Sequence, residues 1–144
     1  MQKPIASLMV VGLLVLAACG TGGEVEPGQV SSLEDFAGTT YERQGSGGQV
    51  YLHILEDGTL HFSSNPDLVV DRPDQIIETR FEGTTVSLHE IKGRCDDDPD
   101  ATYEIHLLEN GTLQFVEIED TCGIRSSFFF LAEWAPVLRR SPSQ

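Results

Sequence analysis

Basic residues are scarce in this chain. Lys and Arg number 9 against 23 Asp and Glu, a formal net charge of −14 over 144 residues. A phosphate backbone needs cations to displace its counterions, so the composition argues against nucleic acid as a partner. Cysteine is also rare, at three, and there is a single Trp. With no Cys-x-x-Cys, the sequence offers no zinc-type ligand pair. Gly-x-Ser-x-Gly is missing, and Gly45-Ser46-Gly47-Gly48 reads instead as a flexible loop. His89-Glu90 is not followed by His at the zincin spacing, and no glycine-rich phosphate loop occurs. These absences leave no readable catalytic or cofactor motif. The chain is nonetheless 40% hydrophobic with a mean hydropathy of −0.13, too apolar for a disordered acidic tail. Its length suits one domain.

What is present begins with an address. Met1-Gln2-Lys3 carries one positive charge, and the apolar run 5–18 is shorter than the ~20 residues of a spanning helix. It suits a signal-peptide core. The run closes on Leu16-Ala17-Ala18-Cys19-Gly20, which resembles the lipobox of bacterial lipoproteins. The resemblance implies a signal peptide over 1–18 and a lipidated Cys19 as the mature N-terminus. It implies export and anchoring to the bacterial envelope, at the outer membrane or cell surface, since Gly20 is no inner-membrane retention signal. Residues 19–32, with Gly22, Gly23, Pro27 and Gly28, read as a flexible tether. With Cys19 acylated, Cys95 and Cys122 remain as an even pair in an oxidising compartment, and a disulfide between them is expected.

From Ser31 onward the hydrophobic period is mostly two. Ser31–Phe36 looks like a capped helical turn ended by Gly38. Eight strands are expected, at about 39–44, 48–55, 59–64, 75–81, 84–90, 101–108, 112–119 and 125–134. Glu56-Asp57-Gly58, Glu82-Gly83 and Glu109-Asn110-Gly111 are hairpin signals. The segments His53–Phe62 and His106–Phe115 agree at seven of ten positions, so both are read as the same kind of hairpin. Alternation then puts Leu52, Ile54, Leu60 and Phe62 on one face, opposite a polar face carrying Glu78, Arg80, Ser87 and His89. Eight such strands can close into an up-and-down barrel. In that topology the three tight turns share one end with the entry segment, where Leu33 and Phe36 plug it. The connections 45–47, 65–74, 91–100 and 120–124 share the other end, and the expected disulfide ties two of them.

Over about 33–136 the chain resembles the lipocalin-like, or calycin, barrels, through this architecture and through Gly38-Thr39-Thr40-Tyr41 and Asp120-Thr121-Cys122-Gly123-Ile124-Arg125. Lipocalins carry Gly-x-Trp on the first strand with an Arg of the last strand stacked over it. Here Tyr41 takes the first-strand place, Trp134 ends the last strand, and Arg125 is expected to begin it. Residues 137–144 read as a tail. The resemblance implies an all-β, eight-stranded antiparallel barrel that either holds one small apolar ligand or is filled by its own side chains.

Candidate sites follow. His53 and His61 face each other across a hairpin but on the polar face, so solvated surface is the simpler reading than a metal pair. Asp96, Asp98 and Asp100 have the alternate spacing of a calcium loop. Ala101 and Leu107 stand where an EF-hand needs Gly and Glu, and a solvated rim loop is expected instead. No metal or cofactor is assigned. If the barrel is a binder, inward-facing Tyr41, Leu52, Phe62, Ile77, Leu88, Tyr103, Phe115 and Phe130 should line it, with the entrance at the long-loop rim. The acidic composition then suggests a neutral or cationic ligand. The alternative is an interaction or structural envelope lipoprotein with a filled barrel, meeting another envelope protein through its loops. Nothing read from the sequence supports an enzyme.

Overall fold

The computed structural model describes residues 28–129 and 133–138. The expected signal peptide, Cys19, Phe130 and most of the C-terminal tail lie outside the described residues. Eight antiparallel strands in chain order close into a barrel: β1 (Thr40–Gly45), β2 (Gly48–Ile54), β3 (Leu60–Ser63), β4 (Gln75–Glu82), β5 (Thr85–Lys92), β6 (Asp100–Leu107), β7 (Leu113–Asp120) and β8 (Glu133–Pro136). One helix, α1 (Gly123–Phe129), stands between β7 and β8.

The turns obey the residues that make them. Gly58, Gly83 and Gly111 adopt φ of 82°, 65° and 80°, a region open to Gly without a Cβ penalty. The repeated ten-residue segments fold alike. In one, Leu55 N–H donates to the Thr59 carbonyl and the Asp57 carboxylate accepts from Thr59 N–H, both at 2.9 Å. In the other, Leu108 N–H donates to Thr112 at 2.9 Å and Asn110 accepts from Thr112 N–H at 3.0 Å. Asp and Asn serve the same purpose there, an acceptor two residues before the donor.

The tight-turn end is sealed by the entry segment. A 3₁₀ turn spans Glu34–Phe36, with Ser32 Oγ accepting from Glu34 N–H at 3.1 Å. Leu33 is buried in the core and Phe36 packs against it. Residues expected to belong to the tether take part as well. Val30 is buried, its N–H donates to Ile105, and Gln29 bridges to His106 on the stretch of β6 that runs past β5.

The last strand is where expectation and structure part. A strand over 125–134 was expected, yet the chain turns helical through Gly123–Phe129 and only Glu133–Pro136 pairs. The physical reason is Arg125. Its guanidinium is wholly buried and finds four acceptors, which an extended segment leading away from Asp120 would forgo. The consequence is a short seam. β8 meets β7 through Leu113 and Gln114 and meets β1 through Tyr41 and Glu42. Beyond those pairs β1 and β7 have no β8 partner among the described residues, and α1 packs against β7.

The interior is a single cluster of buried apolar side chains from every strand, with Trp134, Tyr103, Phe62 and Phe115 its largest members. Phe62 meets Trp134 edge-on, with ring centroids 5.6 Å apart. An eight-stranded barrel is narrow enough for side chains to fill it, and this one is packed through its middle.

Candidate functional site at the barrel mouth

The long-loop end carries two structures, a buried polar clamp and an open cleft. The clamp is built on Arg125. Its Nε and Nη2 donate to the two oxygens of Asp120 at 2.9 and 2.8 Å. Nη1 donates to the Pro99 carbonyl and Nη2 to that of Asp100, each at 2.8 Å. Glu90 stands 3.8 Å away, and the side chains of Arg125, Asp120 and Glu90 are all fully buried. Asp120 also accepts from Tyr103 O–H at 2.7 Å and from Cys122 N–H at 2.9 Å. Glu90 accepts from Gln75 Nε2 at 2.7 Å and from Cys95 N–H at 2.9 Å. A Cβ on Gly93 would collide with the Glu90 carboxylate, so only Gly lets the chain pass there.

Fork geometry explains why this residue is Arg. Its planar donors meet a carboxylate in two-point fashion and still reach two carbonyls. Each acid of the clamp holds several donors, as a buried charge requires. Burial, and then the hydrogen bond to Asp120, push the Tyr103 hydroxyl pKa far above the ordinary phenol value, so it stays a donor. The disulfide Cys95–Cys122 lies in the same assembly, since the N–H of each cysteine bonds to a clamp carboxylate. The clamp therefore ties together the start of β4, the β5–β6 connection and the root of α1.

Beside it opens a cleft of about 840 Å³. Its wall comes from the end of β1 and the Gly45–Gln49 turn, from Ser63, Ser64, Asp74 and Gln75, from Gly93 and Arg94, and from Ile124 and Ser127 of α1. This is the rim where the entrance was expected. Arg43, two residues from buried Tyr41, shares its inward phase, and its guanidinium carbon lies 5.2 Å from the centroid of the Trp134 ring. Val50 adds apolar surface, and buried Phe62 borders the cleft from below. Burial lowers the pKa of Arg43, but from a value so high that the group remains a cation.

Seven of the eight residues expected to line the barrel are among the described residues. Tyr41, Leu52, Phe62, Ile77, Leu88, Tyr103 and Phe115 all face inward, and none is more than 3% exposed. They are brought together as packed core; of these seven, Phe62 alone borders the mouth cleft. Phe130 lies outside the described residues.

Other candidates resolve individually. His53 and His61 are opposite each other, as register requires, but His53 is buried. It hydrogen-bonds Thr40 Oγ1 at 2.8 Å, while His61 Nδ1 donates to the Val70 carbonyl at 3.1 Å. The acidic loop is partly tied down. Asp98 accepts from Thr121 Oγ1, and Asp100 meets His89 Nδ1 at 2.7 Å. That last pair lies in a shallower outer groove of about 690 Å³ across β4 to β7. Ser87 shares the groove with that pair.

Sequence reasoning missed Arg43, Glu90 and the role of Arg125. A signal existed for two of them. Glu90 falls in the inward phase of Val86 and Leu88, and Arg43 in that of Tyr41; a charge in that phase must reach a partner or the mouth.

The fold defines the class: a closed, eight-stranded up-and-down antiparallel barrel, an architecture consistent with a lipocalin-like fold. No protein-family model, curated protein or solved structure matches the chain.

Proposed function

We propose that this is an exported, non-enzymatic lipoprotein, anchored to the bacterial envelope through Cys19, that binds a small ligand with an apolar body. The ligand sits in the mouth cleft and not in the bore. One observation carries the reading: a cleft of about 840 Å³ at the loop rim, above an interior already filled by its own side chains. Its size falls within the ~300–1,000 Å³ usual for small-molecule sites. Loops on a rigid scaffold are also where binding usually resides.

The anchor fits this arrangement. The described chain enters beside Leu107, where Gly28 accepts from Leu107 N–H, next to the tight turns. A lipid on Cys19 would draw that end toward the membrane and leave the mouth facing away from it. A second reading, an interaction module with a filled barrel, draws on the same packed interior and on exposed Val116, Ile118 and Ile124. Purifying the full chain from membranes and extracting it into organic solvent separates the two. The binder yields a lipophile that Ile124→Asp loses without loss of folding. Recovery of none, or equal recovery from the variant, supports the interaction module.

A further inference from the structure

The mouth cleft is chemically unlike the rest of the molecule. A chain with 9 basic residues and a charge of −14 places two arginines, Arg43 and Arg94, on one cleft against a single lining carboxylate among the described residues, Asp74. Asp74 is itself engaged, accepting from Ser63 Oγ and Ser64 N–H at 3.1 Å each. The buried acids of the clamp are held by Arg125, Gln75 and backbone N–H groups, and Glu117 accepts from Ser126 Oγ. Acids elsewhere on the surface act through water and salt, where fields decay over about 8 Å. Counted over its described lining alone, the cleft carries two cations against one anion, a formal excess of one positive charge. Arg43 is set in place by Trp134, its guanidinium stacked on the ring as a cation over a π face. Val50 and Ile124 supply the apolar part of the lining.

We infer that the cleft takes an anionic single-chain amphiphile, its carboxylate or phosphate head held by Arg43 and Arg94 and its chain laid on Val50 and Ile124. This rests on the mouth-binding reading and reverses the ligand charge expected from composition. Arginine is suited to the role because its fork matches both head groups. The same chemistry could arrive as a free fatty acid or as a phosphorylated lipid, and the head groups tested below separate the two.

Trp134 is the only Trp in the chain and lies under Arg43, so its fluorescence reports occupancy. The full chain in neutral phosphatidylcholine nanodiscs is titrated with octanoate, octyl phosphate, octylammonium, octanol and inorganic phosphate. Octanoate or octyl phosphate should give a saturable change, and the tighter of the two names the head group. Losing one charge-assisted contact should weaken binding about ten-fold, so Arg94→Gln, at an exposed rim position, is the decisive variant. Arg43→Lys, which keeps the charge but loses the fork, should weaken octyl phosphate as well. Equal or tighter binding of octylammonium or octanol overturns the anionic head while leaving the mouth-binding reading intact. Inorganic phosphate binding as tightly as octyl phosphate overturns the amphiphile. No saturable response to any probe overturns both the inference and the reading beneath it.

Discussion

Arg43 on the first strand lies over the ring of Trp134 on the last, 5.2 Å from its centroid. The contact joins the two strands that close the barrel. The seam shows four pairs among the described residues, and a partly desolvated cation–π contact beside it contributes about 0.5–2 kcal/mol. Arg43→Ala should lower the unfolding free energy by about that amount in a denaturant titration and shift Trp134 emission to the red.

Arg125 should be among the costliest positions to change. Replacing it with Met leaves Asp120 and Glu90 buried without their cation, which costs about 3–5 kcal/mol. Arg125→Lys should not restore stability, since one ammonium cannot span two carboxylate oxygens and two carbonyls. Thermal unfolding of both variants checks this.

The core and the disulfide give separable effects. Leu88→Arg puts a charge among packed apolar side chains and should destabilise by several kcal/mol, abolishing the cooperative transition. Replacing Cys95 and Cys122 together by Ser opens a loop of sequence separation 27 and should cost roughly 3–4 kcal/mol in the chain-entropy account, with the barrel still formed. Circular dichroism during urea unfolding distinguishes the two outcomes.

Acid should loosen the first tight turn. The Thr59 N–H and hydroxyl hold the Asp57 carboxyl below the usual carboxylate range. A depressed pKa contributes stability that is present above the unfolded value of about 4 and lost as pH falls through the folded one. Asp57→Asn keeps an acceptor for Thr59, as Asn110 does for Thr112, but does not titrate. The exchange protection factor of the Thr59 amide, corrected for the intrinsic pH dependence, should fall below pH 4 in the parent and stay flat in the variant.

Most of the barrel was legible because period-two alternation and Gly-centred turns act locally. The pairs Leu52 with Phe62 and Ile105 with Phe115 follow from the turn chemistry alone. The disulfide was legible from parity and from which loops share an end. The last segment was not, because its fold is decided by partners far along the chain. Arg125 becomes helical through acceptors at Pro99, Asp100 and Asp120, and no local propensity announces that. Filling of the bore was hidden for a similar reason: alternation says which side chains point inward, and only their packing says how much room they leave. The mouth cleft depends on the same unseen helix, whose Ile124 and Ser127 form one wall.

The claim that the mouth, and not the bore, is the binding site is tested most directly by an amide chemical-shift map of the full chain titrated with octanol, a probe with no charge. The account predicts saturable shifts concentrated at Val50, Phe62, Gln75 and Ile124, with Leu52, Leu88 and Ile105 unmoved. Shifts centred on Leu52, Leu88 and Ile105, with the rim unmoved, would contradict it.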